Sequence, residues 1–221
     1  MTLGIVGMVG ILGATLFMAA GTLAWSAGWV FLGTVLVFAW MLGVWLYRND
    51  RDLLRERLTL FGNSDQKAWD KAFFVGINAY FLAWLALMAL DAVRFHWSTM
   101  PPSLRATGGG MIIAAFYGFF ATFRENGYLS PVVRVQLERG HTVVTTGPYR
   151  WVRHPLYAAA IPFVTGTALW LGSWYGLLAS LGMVIGLGWR AVGEERMLLA
   201  ELAGYDAYRS QVKYRLIPYI W

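Results

Sequence analysis

The polarity of this chain changes in long blocks rather than residue by residue. An α-helix needs about 20 mostly apolar residues to cross the hydrocarbon of a bilayer. Six blocks reach or approach that length: residues 3–24, 28–47, 72–93, 104–123, 155–171 and 174–189. The last two are shorter, and only Gly172 and Ser173 separate them, which predicts a tight antiparallel hairpin. The first block has no basic stretch before it and runs almost directly into the second, so it is expected to be retained rather than cleaved as a signal peptide.

The polar blocks between these spans are unevenly charged. Residues 48–71, 124–154 and 190–221 hold sixteen of the eighteen lysines and arginines, and the opposite side receives only Arg94 and Arg105. With six crossings, all three basic blocks and both termini fall on one face, which the positive-inside rule makes cytoplasmic. Trp25, Trp29, Trp97, Trp170 and Trp174 lie near the other ends of the spans, where interfacial anchors belong. The pairs Gly172/Gly176 and Gly182/Gly186 have the spacing that lets helices pack closely. Polar residues within the spans are few, chiefly Asn78 and Asp91, and Asp91 is expected to pair with Arg94.

Composition narrows the picture. Of 221 residues, 58% are hydrophobic and 14% charged, with a mean hydropathy of +0.51. The expectation is an all-α, polytopic integral membrane protein of one domain, residues 1–221, with four spans in 1–123 and the hairpin in 124–221. The absence of cysteine removes disulfides, thiolate metal sites and cysteine nucleophiles. His96, His141 and His154 show no ligand spacing, so no metal is expected. The net charge of +6 and pI near 9.7 fit loops beside anionic membrane lipids better than a nucleic-acid partner.

Two constellations carry candidate chemistry. The first is GPYRWVRHPLY, residues 147–157. Gly147-Pro148 signals a turn, and Pro155 suits the first position of a helix, leaving His154 as its cap. The free amides of that helix start form an anion site with Arg150 and Arg153 just before it, while Tyr149 and Tyr157 offer ring faces to a cation or a flat ring. A basic, aromatic membrane boundary with nothing bound would look similar. The second is WRAVGEERMLLAELAGYDAY, residues 189–208. Arg190 and Glu194 share a helix face, and Glu194-Glu195 places two acids at the membrane exit, against the local charge bias. An ordinary salt-bridged juxtamembrane helix would also account for it. The hairpin brings His154 and Glu194 to the same face, so an anion site and a cation site would oppose each other. A ligand with a carboxylate, an ammonium and an aromatic base fits such a site, and S-adenosylmethionine is one.

The order GPYRWVRHPLY, hydrophobic hairpin, Arg-x-x-x-Glu-Glu, GYDAY and a closing LIP resembles the isoprenylcysteine carboxyl methyltransferase family, membrane enzymes with relatives among phospholipid and thiol methyltransferases. The resemblance runs from about Gly140 onward. It implies an S-adenosylmethionine pocket, leaving S-adenosylhomocysteine as product, at the cytoplasmic side of the hairpin. Gly147 and Tyr149 then belong to the loop over the cofactor, and Arg153, His154, Pro155 and Tyr157 to its surroundings. Glu194 and Glu195 match the acidic pair near the methionine end, and Tyr205 and Tyr208 match aromatics that close the site. Arg190 and Glu194 take the catalytic places: Glu194 pairs with the ammonium, and Arg190 either holds Glu194 or orients an anionic acceptor. The acceptor is expected to be lipophilic and to enter from the bilayer between helices, with oxygen, nitrogen and sulfur all open as the methylated atom. The compact loops look like those of bacterial relatives, which points to a bacterial inner membrane. VKYRLIPYIW and FRENGY also resemble NADPH-dependent membrane sterol reductases. A lipid-binding or transport protein is the remaining alternative, although the spans show no internal repeat.

Overall fold

The computed structural model describes residues 1–58 and 67–221. Those residues form eight α-helices: α1 (Thr2–Ala20), α2 (Ser26–Asn49), α3 (Arg51–Leu58), α4 (Ala68–Ala89), α5 (Pro102–Glu125), α6 (Pro155–Leu171), α7 (Trp174–Glu201) and α8 (Tyr205–Gln211). A turn of π-helix, Leu90–Arg94, continues α4. Five helices are long and apolar enough to cross a membrane, and α6 is a shorter apolar one. The six expected spans are therefore present, with shifted ends. Part of the basic block at 48–71 lies outside the described residues.

The largest shift is in α7, which runs on to Glu201 instead of ending at residue 189. Residues 190–201 contain one glycine and no proline, so nothing in them stops a helix that is already nucleated. Arg190, Glu194 and Glu195 thus stand on the same rigid rod as the last span. The α6–α7 turn forms as expected. Gly172 ends α6 at φ 87°, donating to Ala168 and Leu169 carbonyls, and the Ser173 hydroxyl caps α7 by accepting from Gly176 N at 2.8 Å.

Apolar residues cover these helices all round. Leu16, Phe31, Trp84, Leu85, Met88 and Leu171 are buried in the core, while Val37, Met41, Ile113, Leu178 and Ile185 point outward and remain exposed. An outer surface of that kind suits acyl chains, not water. Between such helices the hydrophobic effect gives no net drive, and close backbone packing replaces it. The α5–α6 crossing depends on this. A Cβ on Gly108 would lie 2.6 Å from Gly166 O and from Trp170 N, and one on Gly166 would lie 2.8 Å from Gly108 O. The α7 glycines receive α4 side chains: Gly176 faces Met88 and Gly182 faces Tyr80.

At the end remote from the basic blocks, Asp91 is fully buried. Its Oδ2 accepts from the Ser98 hydroxyl at 2.7 Å and from the Ser173 hydroxyl. Two serines, rather than the expected Arg94, meet this carboxylate, which lies within the π turn. At the basic end, Asp50 caps α3 by accepting from Leu53 N at 2.9 Å, and Leu53 packs with Leu46 and Phe123. This pins α3 beneath the bundle.

Because the α5–α6 contact leaves no room at Gly108, Gly108→Ala is expected to destabilise the protein by about 1–3 kcal/mol through overpacking. Gly110, with nothing within 4 Å of its Cβ position, is the matched control. Thermal unfolding of the two detergent-solubilised variants checks this: the midpoint should fall for Gly108→Ala and hold or rise for Gly110→Ala.

Candidate functional site

A cavity of about 240 Å³ opens at the basic end of the bundle. Phe74 of α4, Tyr157 of α6, Arg190 and Glu194 of α7, Tyr205 and Tyr208 of α8, the loops around 126–134 and 141–149, and Arg57 of α3 line it. Of the residues singled out in the sequence, Tyr149, Arg153, His154, Pro155, Tyr157, Arg190, Glu194, Tyr205 and Tyr208 all border this one space. Gly147 and Glu195 are not among its lining residues.

Gly147 has φ +57°, and a Cβ there would sit 2.3 Å from Glu125 Cγ. Only glycine fits that left-handed, crowded turn. Thr146 beside it donates to Glu125 Oε2 at 2.7 Å. The turn delivers Tyr149 into the interior, where Asn126 donates to its hydroxyl at 2.7 Å and Tyr208 donates to its carbonyl at 2.7 Å. Burial pushes the Tyr149 phenol well up, so it stays protonated.

Glu195 is buried, and its two oxygens are fully occupied. Arg153 Nε donates to Oε1 at 2.6 Å, Arg215 Nε donates to Oε2 at 3.0 Å, and His154 Nε2 lies 3.2 Å from Oε1. The remaining Arg153 donors reach Val212 O at 2.7 Å and Lys213 O at 2.8 Å. The backbone amides of Arg153 and His154 donate to Tyr214 O and Arg215 O. This corrects the expectation that Arg150 and Arg153 flank an open anion site at the start of α6. A buried guanidinium must be paired, and Glu195 with two carbonyls satisfies this one. The tail covers the helix start.

Glu194 is differently placed. Its Oε2 accepts from the Tyr157 hydroxyl at 2.8 Å and lies 3.7 Å from His154 Nδ1. Tyr157 stacks on the His154 ring with centroids 5.5 Å apart. Of the two roles open to Arg190, holding Glu194 is not the one seen, since no hydrogen bond joins the two side chains. Arg190 Nε instead donates to Asp70 Oδ1 at 3.0 Å, and Nη2 donates to Pro131 O at 2.7 Å. Asp70 is fully buried, and its other oxygen accepts from Val133 N at 2.9 Å. A desolvated carboxylate facing the arginine outcompetes a half-exposed one four residues along the same helix.

Sequence reasoning missed Asp70, Arg57, Asn126, Tyr128 and His141. Asp70 was hidden in a polar block that looked solvated, and its position two residues before the expected third span was the available signal. Asn126 and Tyr128 belong to FRENGY, which had suggested a reductase. Here Asn126 Oδ1 accepts from Tyr128 N at 2.8 Å, and the Tyr128 ring stacks on His141 at 4.2 Å. Burial lowers the His141 pKa, and its Nδ1 accepts from Gln136 N at 3.3 Å, which requires that nitrogen to be unprotonated.

Two outcomes test this assembly. Removing the Glu195 carboxylate leaves two arginines short of a partner, so Glu195→Ala should cost about 3–5 kcal/mol. Limited proteolysis should then cut residues 212–221 faster than in the parent. For His141, the folded pKa lies below the unfolded value of about 6.5, so its stabilising contribution is full above that pH and is lost as pH falls through the folded value. The thermal midpoint should therefore drop on going from about pH 7 to about pH 5, and drop less in His141→Gln.

Comparison with known proteins adds the following. Residues 104–203, from α5 to the end of α7, match the model of the phospholipid methyltransferase family. A search among curated proteins gives no significant match. Among solved structures, the chain is similar to the eukaryotic intramembrane Ras methyltransferase, isoprenylcysteine carboxyl methyltransferase, with a TM-score of 0.58 and 20% identity over 96% of this chain and 74% of that one. The protein is an integral membrane protein with the fold of the isoprenylcysteine carboxyl methyltransferase and, over residues 104–203, the sequence pattern of the phospholipid methyltransferases.

Proposed function

We propose that the protein transfers a methyl group from S-adenosylmethionine to a lipid acceptor at the basic, cytoplasmic face of the membrane. The observation that carries this reading is the convergence of nine residues from the two sequence constellations on one cavity, which the N-terminal half closes through Asp70 and Arg57.

The donor set fits the group. Among the described residues, Glu194 accepts one hydrogen bond, from Tyr157, so its second oxygen is available to an ammonium. Tyr149, Tyr205 and Tyr208 give the cavity aromatic walls for a cationic sulfur or a flat base. When bound, S-adenosylmethionine supplies an electrophilic methyl on a sulfonium with a neutral thioether as leaving group. The acceptor's lone pair forms the new bond as the carbon–sulfur bond breaks. A carboxylate acceptor needs no base, whereas an amine or thiol must also lose a proton. The protein's part is then to align the reactants and exclude water. Arg190, fixed by Asp70 and Pro131 O, contributes a positioned positive charge rather than a support for Glu194.

The lipid side of the reading rests on a groove between α2 and α5. It encloses about 870 Å³ and is lined by Val37, Phe38, Met41, Trp45, Phe116 and Phe120, among others. Its basic end leads inward. Leu42 and Trp45 pack against the Leu46–Leu53–Phe123 cluster, which also holds Leu129 and Leu156 from the cavity wall. An acyl or prenyl chain lying in the groove would bring its head to the cavity without leaving the bilayer.

Calorimetric titration of the purified protein with S-adenosylhomocysteine tests the reading. Binding is expected, with none for NADPH. Glu194→Gln should weaken it by about tenfold or more, the worth of a charge-assisted hydrogen bond. Binding of NADPH alone, or unchanged affinity in a folded Glu194→Gln protein, would overturn the assignment or the residue's role.

A further inference from the structure

Arg57 stands at the junction of cavity and groove. It comes from α3, a helix outside the family match at 104–203. Leu53, four residues earlier on the same face, anchors that helix against Leu46 and Phe123. The Arg57 guanidinium lies over the Phe123 ring, 4.9 Å from its centroid, and borders the cavity. Phe123 belongs to the apolar cluster that links the α2–α5 groove to the cavity. The charge is therefore held where the apolar path ends and the polar chamber begins.

Its charge is poorly matched by the protein. Among the described residues no carboxylate forms an ion pair with Arg57, and its one hydrogen bond is a long one, Nη1 to Leu129 O at 3.4 Å. The nearby Arg190 differs, since Asp70 and a carbonyl satisfy it. Burial, and then the charge of Arg190, lower the Arg57 pKa to about 10, which still leaves it cationic at neutral pH. A guanidinium carries five N–H donors in a planar fork that suits carboxylate and phosphate oxygens. Keeping such a group half-buried and underused beside a second arginine is costly unless an anion arrives to share it.

We propose that Arg57 is a specificity-determining residue that selects lipid acceptors carrying an anionic group, a carboxylate or a phosphate, and holds that group at the junction of groove and cavity. The proposal rests on the methyltransferase reading and names the substrate class for it. Arg190 faces the same chamber from α7, so an anion held there is flanked by two positive charges, only one of them matched by the protein.

The test compares amphiphiles of one chain length. Dodecanoate, dodecyl phosphate and dodecanol are titrated calorimetrically into the full protein in phosphatidylcholine nanodiscs, in mildly alkaline buffer, with empty nanodiscs as the blank. The parent should bind at least one anion about tenfold or more tightly than dodecanol, and the anion that binds tighter identifies the carboxylate or the phosphate class. Arg57→Met should remove that preference and leave dodecanol binding in place, while Arg57→Lys should retain part of it. No preference in the parent, or a preference that survives Arg57→Met, overturns the proposal. So does an equal loss of all ligands in Arg57→Met and Arg57→Lys, which would make the residue structural. Failure of the parent to bind S-adenosylhomocysteine while the anion preference persists would instead sink the methyltransferase reading and leave the anion subsite standing.

Discussion

The buried carboxylate of Glu195 is the interaction on which the basic end of this molecule depends. It collects Arg153, His154 and Arg215, three cationic or basic side chains from two separate segments, around one point on α7. It adds a shared charge to the direct hydrogen bonds that already join the start of α6 to the C-terminal tail. Isolated charges at that depth would be prohibitively costly, but paired and hydrogen-bonded they lock the geometry in a single arrangement. The α6 wall of the cavity is referred to that lock. His154 is held by it, Tyr157 stacks on His154, and Tyr157 in turn orients Glu194.

A second buried carboxylate performs the corresponding task for the N-terminal half. Asp70, at the start of α4, takes Arg190 and the backbone of Val133. The two adjacent functions of α7 are thereby separated. Arg190 faces α4 and the 131–133 loop, and Glu195 faces the tail. Glu194 between them has one protein hydrogen-bond donor among the described residues and faces the cavity. The acid least committed to the fold is thus the one best placed to meet a ligand.

Within the bilayer the packing logic changes. Helices there gain little from burying apolar surface, and the glycines of α5, α6 and α7 permit the close contacts that replace it. The α2–α5 interface lacks comparable contacts. Large aromatic side chains hold these helices apart, with Phe38 stacked on Phe116 at 4.2 Å, and leave an apolar groove open. The same bundle is therefore tight where it must be rigid and loose where a chain can enter.

Much of this was legible in the sequence. The number of spans, the α6–α7 turn at Gly172 and Ser173, and the cap at His154 followed from local rules that act over a few residues: apolar length, glycine at a left-handed turn, proline at a helix start. Nine of the cavity-lining residues followed too, because GPYRWVRHPLY and the Arg190 to Tyr208 stretch flank one hairpin, and a hairpin returns its two ends to the same face. What the sequence could not specify was which carboxylate meets which cation. Glu194 and Glu195 are neighbours with nearly opposite surroundings, since consecutive helix positions point about 100° apart and meet different partners. Arg190 chose Asp70, 120 residues away, over Glu194, four residues away. Desolvation set that choice, and burial by distant segments exists only once the chain has folded.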